Sequence, residues 1–359
     1  MKIALLPGDG IGPEITAATR LVMEAADRQH RIGFDFEEID IGFAALKAHG
    51  STLPDSAFEA ARAADGLILG PVSHLDYPPR DRGGLNPSGE LRKRLDLFAN
   101  IRPAVTRPEL PSATGASFDM VIYRENTEGF YADRCMYAGP GELQVTADVT
   151  LSMRRITRQA SLRIAEAAFE GARARRKHVT AVHKQNVLKI TDGLFLGCCR
   201  EVAARYPDIA YDELIIDAAC AHLVRRPEAF DVIVTTNMFG DILSDLASEL
   251  SGSLGLAASV NAGETIAMAQ AQHGSAPDIA GQGIANPSSL IGSAGMLLEW
   301  LGLHRQRPEL SAAGRSILTA LDMALKDPST RTRDLGGQLG TQAFAQAVAD
   351  RVGSTVPSH

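Results

Sequence analysis

The chain has 359 residues, a formal net charge of −7, 45% hydrophobic residues and 22% charged ones. At about 150 residues per domain the length predicts two domains, and the composition excludes a disordered, collagenous or coiled-coil chain. A net negative chain is not built to coat nucleic acid or an anionic membrane, so any anion must be met by a local basic cluster.

Twelve Phe, six Tyr and one Trp leave the core to Ala, Leu, Ile and Val, as in helix-covered parallel sheets, and so favour an α/β fold. The cysteines Cys135, Cys198, Cys199 and Cys220 include an adjacent pair and no CxxC, which points to reduced thiols rather than zinc or a disulfide framework. Residues 1–6 are too short an apolar start for a signal peptide, and no apolar run long enough to span a membrane follows; a cytoplasmic protein is expected.

In chain order, residues 3–6 read as a buried strand, followed by a Gly-rich turn, a helix through Arg28 and a strand over 34–41. Residues 67–69 make a third strand ending at Gly70-Pro71, and the polar stretch 72–84 reads as a functional loop. Asn86-Pro87-Ser88 has the form of a helix start leading into 91–98. A strand is predicted over 118–123, and two extended stretches around Gly139-Pro140-Gly141, between Tyr131 and Thr150, predict a protruding hairpin arm that dimerises. Helix 153–170, strand 178–183, helix 191–205, strands 214–217 and 232–235 and helix 239–250 then alternate. Residues 251–255 read as a crossover between domains, and three helices, near 288–301, 308–325 and 341–351, complete the chain.

Four stretches carry chemistry. Gly8-Asp9-Gly10-Ile11-Gly12-Pro13-Glu14 sits at a strand-to-helix turn where glycines let backbone approach a ligand. Pro13 breaks the dinucleotide fingerprint, no P-loop Lys is present, and an ordinary tight turn remains open. Arg92, Arg102 and Arg124 each suit a carboxylate, though a single arginine is more often a surface charge. Asp241 and Asp245, four apart on one helix face, repel each other unless a cation lies between them; with no His or Cys nearby that cation would be a hard ion such as Mg²⁺ or Mn²⁺. Asp217 is either a third ligand or a helix cap. Lys184 ends a strand, where α/β folds place their chemistry; beside a metal it could serve as a base, and alone it reads as an exposed lysine.

Six motifs in order resemble the isocitrate/isopropylmalate dehydrogenase family of β-decarboxylating enzymes: LLPGDGIGPE, LRKRLDLFANIRP, YRENTEGFY, HKQN, NMFGDILSD and HGSAPDIAGQGIANP. The resemblance spans nearly the whole chain. It implies a two-domain fold that is not the Rossmann type, with residues 1–98 and 252–359 forming a discontinuous cofactor-binding domain and 99–251 a substrate, metal and dimerisation domain. It also implies that Arg92, Arg102 and Arg124 hold the carboxylates of a malate-type substrate, that Asp217, Asp241 and Asp245 bind Mg²⁺ or Mn²⁺, and that Tyr131 and Lys184 are acid and base. Lys184 and Asp217 are expected to reach the site from the partner subunit, in a homodimer with shared active sites. His273, Gly274, Ala276 and Asn286 are expected to line the adenosine pocket of the cofactor, and Ile11, in the turn over residues 8–14, is expected in the cofactor cleft. Asp278 and Ile279 occupy positions that NADP-dependent members fill with Lys and Tyr, and a carboxylate there would accept from a ribose 2′-hydroxyl but repel a 2′-phosphate, so NAD is expected.

The substrate is expected to be a 2-hydroxy di- or tricarboxylate. The leucines that isopropylmalate enzymes offer to the isopropyl group correspond here to Ser88 and Gly89, and Asn126-Thr127-Glu128-Gly129 matches isocitrate, homoisocitrate and tartrate-type members. Ser88 resembles part of the polar pair that meets the extra carboxylate in isocitrate enzymes, while Asn86 is either its partner or a helix cap. Gln270, Gln185 and the loop around Arg80 and Arg82 depart from the family pattern. Isocitrate-like substrates are expected first, isopropylmalate second, D-malate or tartrate third; the complete Arg, Tyr, Lys and Asp set argues against a non-catalytic regulatory subunit.

Overall fold

The computed structural model describes residues 1–131 and 141–352. They pack as two compact units: one of Met1–Leu91, Leu254–Val260 and the chain from Glu264, the other of Arg92–Ser253 with Asn261–Gly263. The first unit opens with β1 (Lys2–Leu6), α1 (Gly12–His30), β2 (Asp35–Glu38), α2 (Gly42–His49), α3 (Asp55–Arg62) and β3 (Gly66–Leu69), after which α4 (Pro87–Arg94) carries the chain onward. The second unit holds β4 (Ala99–Val105), β5 (Asp119–Glu125), β6 (Glu142–Thr146), β7 (Val149–Ser152), α5 (Arg158–Ala172), β8 (His178–His183), α6 (Thr191–Ala203), β9 (Ala210–Ile215), α7 (Ile216–Arg225), β10 (Val232–Thr235) and α8 (Asn237–Ser251). After β11 (Val260–Ala262), the first unit is completed by β12 (Ala267–Gln270), α9 (Ser288–His304), α10 (Pro308–Lys326) and α11 (Thr341–Val352).

The fold is α/β with mostly parallel strands. In the first unit the order β2-β1-β3-β12 is parallel throughout. In the second the order is β4-β5-β10-β8-β9, parallel except where β4 meets β5. β3 and β10 are buried at every residue, which is why they read as short unbroken apolar runs. The core of the second unit joins Met120 and Ile122 of β5 and Ile233 of β10 to Leu243, Ala247 and Leu250 of α8, leaving the opposite face of α8 to its acids.

Several boundaries differ from expectation, three of them with a clear local cause. The helix expected from residue 153 starts at Arg158, because Thr157 caps it by accepting the Ala160 N–H at 3.2 Å. Arg155 and Gly129 instead exchange backbone hydrogen bonds of 3.1 and 2.8 Å, which keeps the preceding residues extended. The strand expected over 214–217 ends at Ile215, so Asp217 lies in the first turn of α7 rather than in a strand. α4 stops at Arg94 because Asp96 turns left-handed (φ 47°) and the Leu97 N–H bonds back to Arg92. The arm is seen as the antiparallel pair β6–β7, whose Leu143, Val145, Val149 and Leu151 are exposed; its Gly139-Pro140 turn, and Cys135, lie outside the described residues. Among the described residues no helix is long and apolar enough to cross a membrane.

Candidate active site

β5 ends with Arg124, and α8 passes directly beside it. A Cβ on Gly240 would lie 2.6 Å from Cβ and Cγ of Arg124, so only glycine permits this approach. The Arg124 Nε and Nη2 atoms donate to Asn237 Oδ1 at 3.0 and 2.7 Å, and Nη1 pairs with Asp241. Arg102, from β4, donates to Ser244 Oγ at 2.6 Å and pairs with Asp241 and Asp245 at 3.3 and 3.5 Å. Arg92 donates to Asn126 Oδ1 at 3.3 Å, and the Tyr131 hydroxyl donates to Asp241 Oδ2 at 3.0 Å. The three arginines are all buried. The second unit thus brings Arg102, Arg124, Tyr131, Asp241 and Asp245 into one network.

The electrostatics separate the two acids. Burial pushes the Asp241 carboxyl up, but Arg124 and Arg102 more than reverse this and hold it below the usual carboxylate range. Asp245 stays above that range, because burial outweighs the help of Arg102. Burial, reinforced by repulsion from Arg124, brings Arg102 down to about 10, still charged at neutral pH. Removing the acids would leave two buried guanidiniums facing each other, and a carboxylate ligand would relieve them in the same way.

Lys184 follows β8 and its Nζ pairs with Asp217 on α7, a contact that lowers the Asp217 carboxyl. Asp217 therefore stands with Lys184, apart from Asp241 and Asp245, and among the described residues no group of three His, Cys, Asp or Glu side chains forms a metal cluster. Asp241 and Asp245 offer hard oxygen donors suited to a divalent cation, but as two ligands rather than three.

In the first unit the glycine-rich turn is locked to the loop before α9. Gly10 has φ 59° and a Cβ there would meet the Ser275 carbonyl at 2.0 Å, while the Ile11 N–H donates to that carbonyl at 2.8 Å. Asp9 is the hub: it accepts from the N–H groups of Phe43 and Ser73 at 2.8 and 3.0 Å and from the Tyr77 hydroxyl. His273 contacts the Gly274 carbonyl through Nδ1, Ala276 adopts the left-handed conformation (φ 38°), Asp278 and Ile279 lie in a short 3₁₀ turn, and Asn286 donates to Asp334 at 2.9 Å. Burial lowers the His273 imidazole, favouring its neutral form. Its Nε2, like Ser288 Oγ, is buried and has no hydrogen-bond partner among the described residues. Asn86 accepts the Gly89 N–H at 3.2 Å and so caps α4, whereas Ser88 Oγ meets the side-chain amide of Gln270 at 3.1 Å. Arg80 bonds Glu90 at 3.0 Å with its side chain largely exposed, leaving it no evident substrate role.

The family model for isocitrate/isopropylmalate dehydrogenases matches residues 2–352. The chain belongs to this family. The 3-isopropylmalate dehydrogenase of Archaeoglobus fulgidus is 44% identical over 97% of this chain and 98% of its own. The isocitrate/homoisocitrate dehydrogenase of Thermus thermophilus is 42% identical over 98% and 99%. A mitochondrial NAD isocitrate dehydrogenase catalytic subunit of Arabidopsis thaliana is 40% identical over 98% and 88%. The crystal structure of isocitrate dehydrogenase from Methylococcus capsulatus superposes with a TM-score of 0.86 at 41% identity, covering 98% of this chain and 99% of that one. The protein is thus an oxidoreductase of the isocitrate/isopropylmalate dehydrogenase type.

Four neutral residues complete the site: Asn100, Asn237 and Ser244, which the sequence did not single out, and Asn126, which it singled out only as part of a substrate-class string. Each aims or joins the arginine network: Asn126 through Arg92, Asn237 through Arg124, Asn100 and Ser244 through Arg102. Their signal was present, since Asn126 and Asn237 stand inside the strings that carry Arg124 and Asp241.

Proposed function

We propose that the protein catalyses the NAD-dependent oxidative decarboxylation of a 3-substituted (R)-malate, with an isocitrate-like substrate favoured, as a cytoplasmic homodimer that uses Mg²⁺ or Mn²⁺. The observation that carries this reading is the buried network of Arg102, Arg124, Tyr131, Asp241 and Asp245, which offers two guanidiniums to carboxylates, a phenol as proton donor and two oxygen ligands for a cation. In this reading residues 1–98 and 252–359 bind the cofactor and 99–251 the substrate and metal. When bound, the divalent cation held by Asp241 and Asp245, with Asp217 of the partner subunit, would polarise the C2 oxygen, and the oxidised nicotinamide would accept hydride.

The side chains do the rest. Lys184 of the partner subunit receives the C2 hydroxyl proton on Nζ as the C2–H bond breaks and the hydride leaves, making a 2-keto acid. Arg92, Arg102 and Arg124 fix the carboxylates so that the C3–carboxylate bond stands in line for cleavage. Carbon dioxide departs, its bonding electrons remain as an enolate, and the Tyr131 hydroxyl returns a proton to C3. His273, Asn286 and Asp278 hold the adenosine end, with Asp278 excluding a 2′-phosphate.

Ser88, hydrogen-bonded to Gln270, and Gly89 stand where the resemblance places the leucines of isopropylmalate enzymes, which supports a polar 3-substituent. The identity to the Archaeoglobus fulgidus enzyme keeps 3-isopropylmalate as the second reading. The test is a panel of isocitrate, homoisocitrate, 3-isopropylmalate, D-malate and tartrate with NAD⁺ and Mn²⁺. The expected result is the largest kcat/KM for a tricarboxylate; the largest value for 3-isopropylmalate would overturn the substrate assignment.

A further inference from the structure

The second unit contains a buried ion pair that the chemistry above does not use. Asp192, in the first turn of α6, is fully buried, and the Arg154 side chain is 7% exposed. Asp192 Oδ1 meets Arg154 Nη1, while its Oδ2 accepts the backbone N–H of Lys184 at 2.5 Å. The Lys184 carbonyl in turn accepts the Leu188 N–H at 2.8 Å, and the Leu188 carbonyl accepts the Asp192 N–H at 3.0 Å. These bonds close a ring that fixes the main chain of Lys184 from both sides.

The other end of the pair reaches α8. Arg154 donates to Thr191 Oγ1 at 2.8 Å and to Thr236 Oγ1 at 3.0 Å. Thr236 is the residue before α8, followed at once by Asn237, which aims Arg124. The guanidinium also lies 5.7 Å from the ring of Phe130, the neighbour of Tyr131, and 5.5 Å from that of Phe239 on α8. One buried cation is therefore joined to the Lys184 turn, to the start of the helix carrying Asp241 and Asp245, and to the residue beside Tyr131.

We propose that Arg154 and Asp192 are positioning residues, which set the Lys184 main chain and the start of α8 in one fixed register. The proposal rests on the reading of Lys184 as the base. Desolvating two charges costs roughly what their attraction returns, so a buried pair of this kind is a weak stabiliser; what it fixes is geometry, because the carboxylate is satisfied only where Arg154 and the Lys184 N–H both reach it. If Lys184 serves the partner's site, the same pair links a residue working in one active site to the metal helix of the other.

The experiment compares D192N, R154K and K184M in the full-length enzyme, measuring kcat, KM for the hydroxy acid, oligomeric state and melting temperature. Asparagine offers one acceptor oxygen where Asp192 offers two, and lysine cannot divide its donors in a plane as Arg154 does. Both variants are expected to lose about tenfold or more in kcat, with KM changed less than about threefold, since displacement of a reacting group by an ångström suffices for such a loss. Wild-type kcat at a lowered melting temperature, or a loss confined to KM, would overturn the proposal. If D192N does not fold, R154K decides by the same readout; if neither folds, the pair is a requirement of the fold and the proposal fails. K184M separates the two levels. Normal turnover in K184M would sink the reading of Lys184 and this proposal with it, whereas an inactive K184M beside an unaltered D192N would sink the positioning role alone.

Discussion

Arg124 uses all three guanidinium nitrogens, two on Asn237 and one on Asp241, at a position 2% exposed. Lysine could neither fork in that way nor reach both partners, so Arg124→Lys is expected to lower kcat/KM by about 100-fold, read by steady-state kinetics at a temperature where the variant is folded. In the proposed function the cofactor choice rests on one carboxylate, that of Asp278. Asp278→Lys combined with Ile279→Tyr is expected to reverse the preference from NAD⁺ to NADP⁺, measured as the ratio of kcat/KM values; a double variant that still prefers NAD⁺ would show that Asp278 does not face the ribose. Ser88→Leu removes the hydroxyl that meets Gln270 and adds apolar bulk. Its expected effect is a gain for 3-isopropylmalate relative to isocitrate of about tenfold, the scale of one buried methylene.

At the scale of elements, the loop after β5 carries a testable titration. Burial raises the Glu128 carboxyl to about 7, and its Oε1 accepts the Thr157 N–H at 2.8 Å at the start of α5. The folded chain thus keeps a proton that the unfolded chain, with an ordinary glutamate, releases. The stability tied to that proton is fully present below the unfolded value near 4.5 and is lost as the pH rises through about 7. Glu128→Gln keeps an acceptor for Thr157 but cannot ionise. It is expected to be more stable than the wild type at pH 8 by about 1–2 kcal/mol and to lose that advantage at pH 4.5, as judged by denaturant unfolding at the two values.

The elements easiest to read in the sequence were those whose burial is uniform or strictly periodic. β8, β10 and the start of α9 fall where their apolar runs begin, because no competing local signal intervenes. The start of α5 was misplaced because residues 153–156 have helical composition, yet Met153 spends its N–H on Gly141 and Arg155 its backbone bonds on Gly129, a tertiary choice that local preference cannot register. The short helices α2 and α3 and the strands β11 and β12 are too brief for periodicity to mark them, while the seven-residue β4 is hidden by Asn100, Arg102 and Pro103. In the site, the charged residues were legible because their types announce chemistry. The neutral residues that aim them, Asn100, Asn237 and Ser244, were not, since an amide or hydroxyl gains meaning only once the fold supplies its partner.

At the scale of the whole molecule, a net charge of −7 hides a basic site. Arg102 and Arg124 are buried and paired with Asp241 and Asp245, so a chain acidic overall still holds a local cluster of guanidiniums, which the proposed function assigns to an acidic substrate. The exposed apolar rows of β6 and β7, with Ile190 at 87% exposure, accord with the proposed homodimer. If Lys184 serves the neighbouring site, mixing inactive K184M and R124M chains creates dimers in which one site carries both lesions and the other none. Co-expressed chains are expected to recover about a quarter of wild-type activity at statistical pairing, and no recovery would place Lys184 in its own subunit's site.

The most direct test is the stoichiometry of turnover with isocitrate, NAD⁺ and Mn²⁺, following NADH by absorbance and CO₂ by trapping, with and without a chelator. Equimolar NADH and CO₂, both abolished by the chelator, is the expected result. NADH formed without CO₂, or turnover indifferent to the chelator, would contradict metal-assisted oxidative decarboxylation.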